Sequence, residues 1–222
     1  MSSSASRFLK QMGWWIFLLV CAFYASYAFY MGLVEILFQQ GLVASAKPRA
    51  VPLIFIIHAL AGGIALISGP LQFNRHLLSK KRKIHRILGR TYVVAIWISS
   101  IGGLWSAIFF EVDLAAKIVL GVLSILWFGS TTIAWLCILM RDIAVHREWM
   151  IRSFSLSLFF VSFSFWVPGL ANTSLPEAIS YPLAVFVSWS LNLLVAELWI
   201  RYTRSQSRQP STNVHRDHAL QQ

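Results

Sequence analysis

The residues that could do chemistry in this chain are few, and they fall into two groups. His85 and His146 are each followed at once by arginine, in "IHRILGR" and "VHREWMIR". An imidazole can ligate haem iron or a metal, or carry a proton near neutral pH. An adjacent guanidinium suits a propionate or another anion. His85 with Arg86 and Arg90, and His146 with Arg147, therefore form a candidate cofactor site. His85 and His146 could also share a metal, and Glu197 could orient one imidazole. The competing reading is anchoring at a lipid interface, with arginines on phosphates and histidines satisfied by headgroups and carbonyls. For Glu197 it is an ion pair with Arg201, one helical turn on.

The second group is Glu35, His58, Asn192 and Glu197, polar side chains inside apolar stretches. Ionisable groups there are costly and mark function by default. His58 opens "HALAGGIALISGPLQF", in which Gly62, Ala65 and Gly69 recur at helical spacing. That smooth face suits close helix packing with His58 hydrogen-bonded across it, or a cofactor plane with His58 as ligand. Glu35 is a candidate partner for His58. One haem cannot join His58 to His85, because about 14 residues, roughly 20 Å of helix, remain between His58 and the end of its segment. Cofactors that suit the pattern are haem b or a quinone. A carrier for protons or small solutes, using Glu35, His58, Asn192 and Glu197, is the alternative, and an accessory or scaffold subunit is a third.

The elements that must position these residues follow from composition. Of the 222 residues, 57% are hydrophobic and 12% charged, against about 25% charged in soluble domains. Six apolar segments, about 14–38, 52–72, 91–110, 118–140, 153–171 and 181–200, each approach the ~20 residues that cross a bilayer as helix. The expected fold is an all-α membrane protein, a bundle of six transmembrane helices over 14–201. It is flanked by a cytoplasmic N-terminus, 1–13, and a disordered cytoplasmic tail, 202–222. The first segment is too long for a signal peptide core and lacks a cleavage site, so it reads as a retained span. Cys21 and Cys137 lie in apolar runs without ligand spacing and read as buried side chains.

Charge placement sets the orientation. An even number of spans puts 16 of the 19 basic residues on the side of both termini, leaving Lys47, Arg49 and Lys117 opposite. The positive-inside rule makes the richer side cytoplasmic. The run "SKKRKIHRILGR", Ser79 to Arg90, is then a cytoplasmic loop facing anionic lipid headgroups. Nothing aromatic or domain-like supports nucleic acid as its partner. A membrane partner subunit or homo-oligomer is compatible with the chain. No HExxH, GxSxG, P-loop or GxGxxG pattern is present.

Taken in order, "HALAGGIALISGPLQF", "HRILGRTYV" and "RDIAVHREWMIRSFSLSLFFVSF" resemble the bacterial integral membrane proteins catalogued as domain of unknown function 2306. The resemblance runs from about Phe55 to Arg201. Residues His58, Gly69, Gln72, Phe73, His85, Arg86, Gly89, Arg90, Tyr92, His146, Arg147, Met150, Arg152, Asn192 and Glu197 match the family pattern. Family members often carry arginine where this chain has Ser164. The resemblance implies a multi-pass protein of the bacterial cytoplasmic (inner) membrane, and it implies no established chemistry.

Overall fold

The computed structural model describes residues 3–38, 53–110 and 112–208. Every regular element among them is helical: α1 (Ser3–Phe38), α2 (Leu53–Gln72), α3 (Arg75–Lys80), α4 (Arg82–Phe109), α5 (Leu114–Leu139), α6 (Ile143–Ser157), α7 (Phe159–Ala171) and α8 (Glu177–Arg208). Six stretches are long and apolar enough to cross a membrane, with α6 and α7 together forming the fifth. The chain is an all-α membrane protein with six candidate spans, as its composition requires.

Several boundaries differ from the sequence reading: α1 begins at Ser3 rather than residue 14, α5 at Leu114 rather than 118 and α8 at Glu177 rather than 181, and three further ends differ as follows. The third span was expected to begin at residue 91, but α4 begins at Arg82. Lys, Arg, Ile and Leu are good helix formers, and nothing in "RKIHRIL" breaks the ladder. At 28 residues, or roughly 42 Å, α4 is longer than the hydrocarbon is thick, so its basic first turns extend past the apolar layer. The basic stretch is thus mostly helix rather than loop. It divides into short α3, capped by Asn74 through His76 N and Leu77 N, and the start of α4. The fifth span was expected from residue 153, but α6 starts at Ile143, where the Asp142 carboxylate accepts from Val145 N. Finally, α8 continues to Arg208, so residues 202–208 of the expected disordered tail are helical. Residues 209–222 lie outside the described residues, as do Lys47 and Arg49.

The backbone ladder of the fifth span runs on through Leu158, whose N–H donates to Phe154 O (3.2 Å) and whose O accepts from Ser162 N (3.1 Å), so α6 and α7 meet at a slight irregularity at Leu158. Ser155 and Ser157 donate back to the carbonyls of Arg152 (2.7 Å) and Ser153 (3.1 Å).

Consecutive spans pack side by side: α1 on α2, α2 on α4, α4 on α5, α5 on α6, and α7 on α8, while α8 also meets α5 and α6. No Cα of α4 lies within 8 Å of one in α6 among the described residues, so these two helices meet through side chains alone. The α2–α4 seam is tight because small residues line it. A methyl at Gly62 would meet Ser99 Oγ at 3.3 Å and one at Gly69 would come within 3.0 Å of the Tyr92 ring, while on the α6 side the Gly69 methyl would overlap the Phe154 ring. The main core joins Cys21, Ala65, Leu66, Tyr92, Ile96, Ala134, Met150 and Phe154, drawn from five of the helices.

Candidate site at the basic end of the bundle

His85 and His146, 61 positions apart in the chain, converge at the end of the bundle that carries both termini. They lie on α4 and α6, at the starts of the two helices. His146 is fixed from behind: its Nδ1 donates to the Ala134 carbonyl of α5 at 2.8 Å. That bond leaves Nε2 as the lone-pair nitrogen of the neutral ring. His85 Nδ1 is buried and has no hydrogen-bond partner among the described residues.

Gln72, the last residue of α2, completes the cluster. It was not among the candidate site residues of the sequence reading, although the spacing Gly62, Ala65, Gly69 continues directly to it. Its amide lies against Gly89 of α4, where an added methyl would come within 3.0 Å of Oε1. Gly89 is one turn from His85. Gln72 Nε2 is buried and, like His85 Nδ1, finds no partner among the described residues. An unpartnered buried polar group costs about 1–3 kcal/mol, so each of these nitrogens marks a place where an outside acceptor would be stabilised.

Two turns along α4 from His85 lies a hydroxyl network centred on Tyr92, which is fully buried. Its direction can be worked out from one proton per hydroxyl. Thr131 Oγ1 donates to Trp127 O (2.8 Å) and Ser157 Oγ to Ser153 O (3.1 Å). Ser153 Oγ must therefore donate to Thr131 Oγ1 (2.6 Å). The Tyr92 hydroxyl donates between Ser153 Oγ (2.9 Å) and Ser157 Oγ (3.1 Å). Trp127 Nε1 donates to Ser157 Oγ (3.0 Å). Every chain ends on a backbone carbonyl, so the network clamps α4, α5 and α6 and offers no onward proton path.

The charged residues sort differently from expectation. Arg86, Arg90 and Arg147 are exposed at the rim. Glu197 does not reach the histidines, and its partner is Arg152 rather than Arg201. Arg152 Nε and Nη2 grip its two oxygens at 2.5 and 3.1 Å. Arg152 also stacks over Trp149, 4.6 Å from the ring centre, and lies 4.0 Å from Glu148. Glu148 in turn is held by Arg204. This ladder ties α6 to α8. No three His, Cys, Asp or Glu side chains come together as metal ligands among the described residues. A metal on His85 and His146 would lack the four protein ligands of a structural zinc site.

The second group is dispersed. His58 Nδ1 donates to the Ser99 carbonyl (2.6 Å), and Ser99 Oγ returns a bond to His58 O (2.9 Å). His58 lies on Gly102 and Gly103, where added methyls would come within 2.8 Å of its Cβ and 3.0 Å of its ring Cε1. His58 thus sits in the α2–α4 seam, hydrogen-bonded across it. Glu35 is in α1, and its side chain lies outside the described residues. Asn192 accepts from Ser162 Oγ (2.9 Å) across α7 and α8, five residues before Glu197 in α8. Ser164 accepts from the Tyr24 hydroxyl at 2.5 Å while donating to Val161 O, joining α7 to α1.

Residues 55–200 match the family model described as predicted membrane protein, domain of unknown function 2306. No curated protein and no solved structure matches the chain.

Proposed function

The chain belongs to the membrane-protein family of domain of unknown function 2306, and from that premise we propose that it binds a quinone-type lipid cofactor in the cleft between α4 and α6. The observation that carries this reading is the pair of unpartnered buried nitrogens, Gln72 Nε2 and His85 Nδ1. Both can donate to a carbonyl oxygen. His146, with Nδ1 held on Ala134 O, presents a lone pair that accepts a hydroxyl proton from a reduced ring. Arg86, Arg90 and Arg147 at the rim favour an anionic form. An apolar groove of about 190 Å³ between α1 and α2 is lined by residues including Trp15, Ile67 and Leu71. It ends one residue before Gln72 and has the lining an isoprenoid tail requires. The positive-inside bias favours a bacterial inner membrane with both termini cytoplasmic, and the rim arginines then face anionic headgroups.

Titration of purified protein in lipid nanodiscs with a short-tailed benzoquinone or naphthoquinone tests this. Saturable quenching of tryptophan fluorescence is expected, weakened about tenfold by Gln72→Leu or His85→Ala, the scale of one lost hydrogen bond. Linear, unsaturable quenching that is the same in wild type and variants refutes it.

A second reading, haem b ligated by His85 and His146, is favoured by one observation: the Nδ1 anchor of His146 is the support that ligating histidines usually have. His85 lacks that support, which ranks haem second. A dithionite-sensitive Soret band lost in His146→Ala would reverse the order.

A further inference from the structure

A second pair of unsatisfied donors lies on α8. Trp189 is nine-tenths buried. It shares a hydrophobic cluster with Leu156 of α6 and Phe159 of α7, and its indole Nε1 has no partner among the described residues. Asn192 is one turn further along α8, on the same side of the helix. Its Oδ1 is taken by Ser162, while its Nδ2 is buried and unpartnered among the described residues. Asn192 is 15 residues from the start of α8 at Glu177, roughly 22 Å along the helix, and so lies deep within the apolar layer.

We propose that Trp189 and Asn192 form a deep binding site for a neutral oxygen acceptor, separate from the His85–His146 cleft. The chemistry selects the class. Trp189 belongs to a hydrophobic cluster with Leu123, Leu156, Val185, Phe159 and Phe163, an apolar setting in which burying an anion would be costly. Two N–H donors without a further charge suit one uncharged oxygen, supplied either by a water molecule or by the carbonyl of a lipid-soluble molecule. Asn192 is oriented for this by Ser162, whose hydroxyl fixes Oδ1 and so turns Nδ2 away from α7. The proposal does not depend on the quinone reading of the other site.

Ultraviolet resonance Raman spectroscopy tests it, because the indole N–H band reports hydrogen bonding. The spectrum of wild type minus Trp189→Phe isolates this one side chain from the other tryptophans. A hydrogen-bonded band is expected in native membranes. If the band persists after exhaustive solvent extraction of lipids and shifts in H₂¹⁸O, the acceptor is water. If it reverts to the free-indole position on extraction and returns when the extract is added back, the acceptor is a lipid-soluble carbonyl. Asn192→Leu should weaken the band in either case. A free-indole band in native membranes overturns the proposal.

Discussion

Glu197→Gln is the perturbation whose size the structure sets most tightly. Glu197 and Arg152 are 32% and 16% exposed and meet through two hydrogen bonds. An exposed pair contributes about 0.2–1 kcal/mol, whereas removing one partner of a buried pair costs about 3–5 kcal/mol. Arg152 would not be abandoned here, because Glu148 lies 4.0 Å away and the Trp149 face 4.6 Å away. The loss should therefore be about 1–2 kcal/mol, a roughly 5- to 30-fold fall in the folded-to-unfolded ratio. Arg201→Gln should change stability by less than about 0.5 kcal/mol, as at an ordinary surface position. Replacing both partners, Arg152→Met with Glu197→Leu, should recover part of the loss. Unfolding in mixed micelles as the fraction of SDS rises, followed by far-ultraviolet circular dichroism, reads all four proteins. If Glu197→Gln is neutral while Arg201→Gln is destabilising, the assignment of Arg152 as partner is wrong.

Four further substitutions can be read on the same titration. Gly69→Ala forces a methyl into the Phe154 ring and should cost about 1–3 kcal/mol, whereas Gly129→Ala, with open space around it, should be neutral or stabilising by up to about 1 kcal/mol. Equal effects would contradict the packing of α2 against the Phe154 ring of α6. Tyr92→Phe keeps the buried ring but removes the shared donor to Ser153 and Ser157, costing about 1 kcal/mol; a neutral result would show that the clamp is not formed. Arg141 turns the chain between α5 and α6 with φ of 64°, a conformation that glycine adopts without strain, so Arg141→Gly should gain up to about 1 kcal/mol. A loss would mean that the Arg141 side chain contributes more than its backbone costs.

The spans were legible because bilayer thickness imposes a length of apolar sequence that soluble helices do not need. The Gly62, Ala65, Gly69 face was legible as a packing surface for the same kind of reason: small residues at helical spacing have few other uses in lipid. Helix ends were less so. The basic residues after Arg82 lower hydropathy without opposing helix, and hydropathy alone therefore placed the start of α4 nine residues late. The approach of His85 and His146 could be proposed from the paired His-Arg dipeptides, since both lie on the side of the termini. Partner choice was out of reach. Whether Glu197 meets Arg201 or Arg152 depends on how α6 packs on α8, a contact between distant segments. The role of Gln72 depends on a glycine in another helix, and that of Trp189 on how α6 and α7 pack against α8.

The central claim is that the cleft bounded by Gln72, His85 and His146 holds a quinone head, and a photoreactive azidoquinone tests it most directly. After illumination in nanodiscs and proteolysis, the label should map to peptides containing Gln72–Phe73, His85–Gly89 or His146–Met150. Excess unlabelled quinone should abolish labelling, and Gln72→Leu should reduce it about tenfold. Label spread over the lipid-facing residues of α1, such as Leu19 and Phe23, and insensitive to competition would contradict the claim.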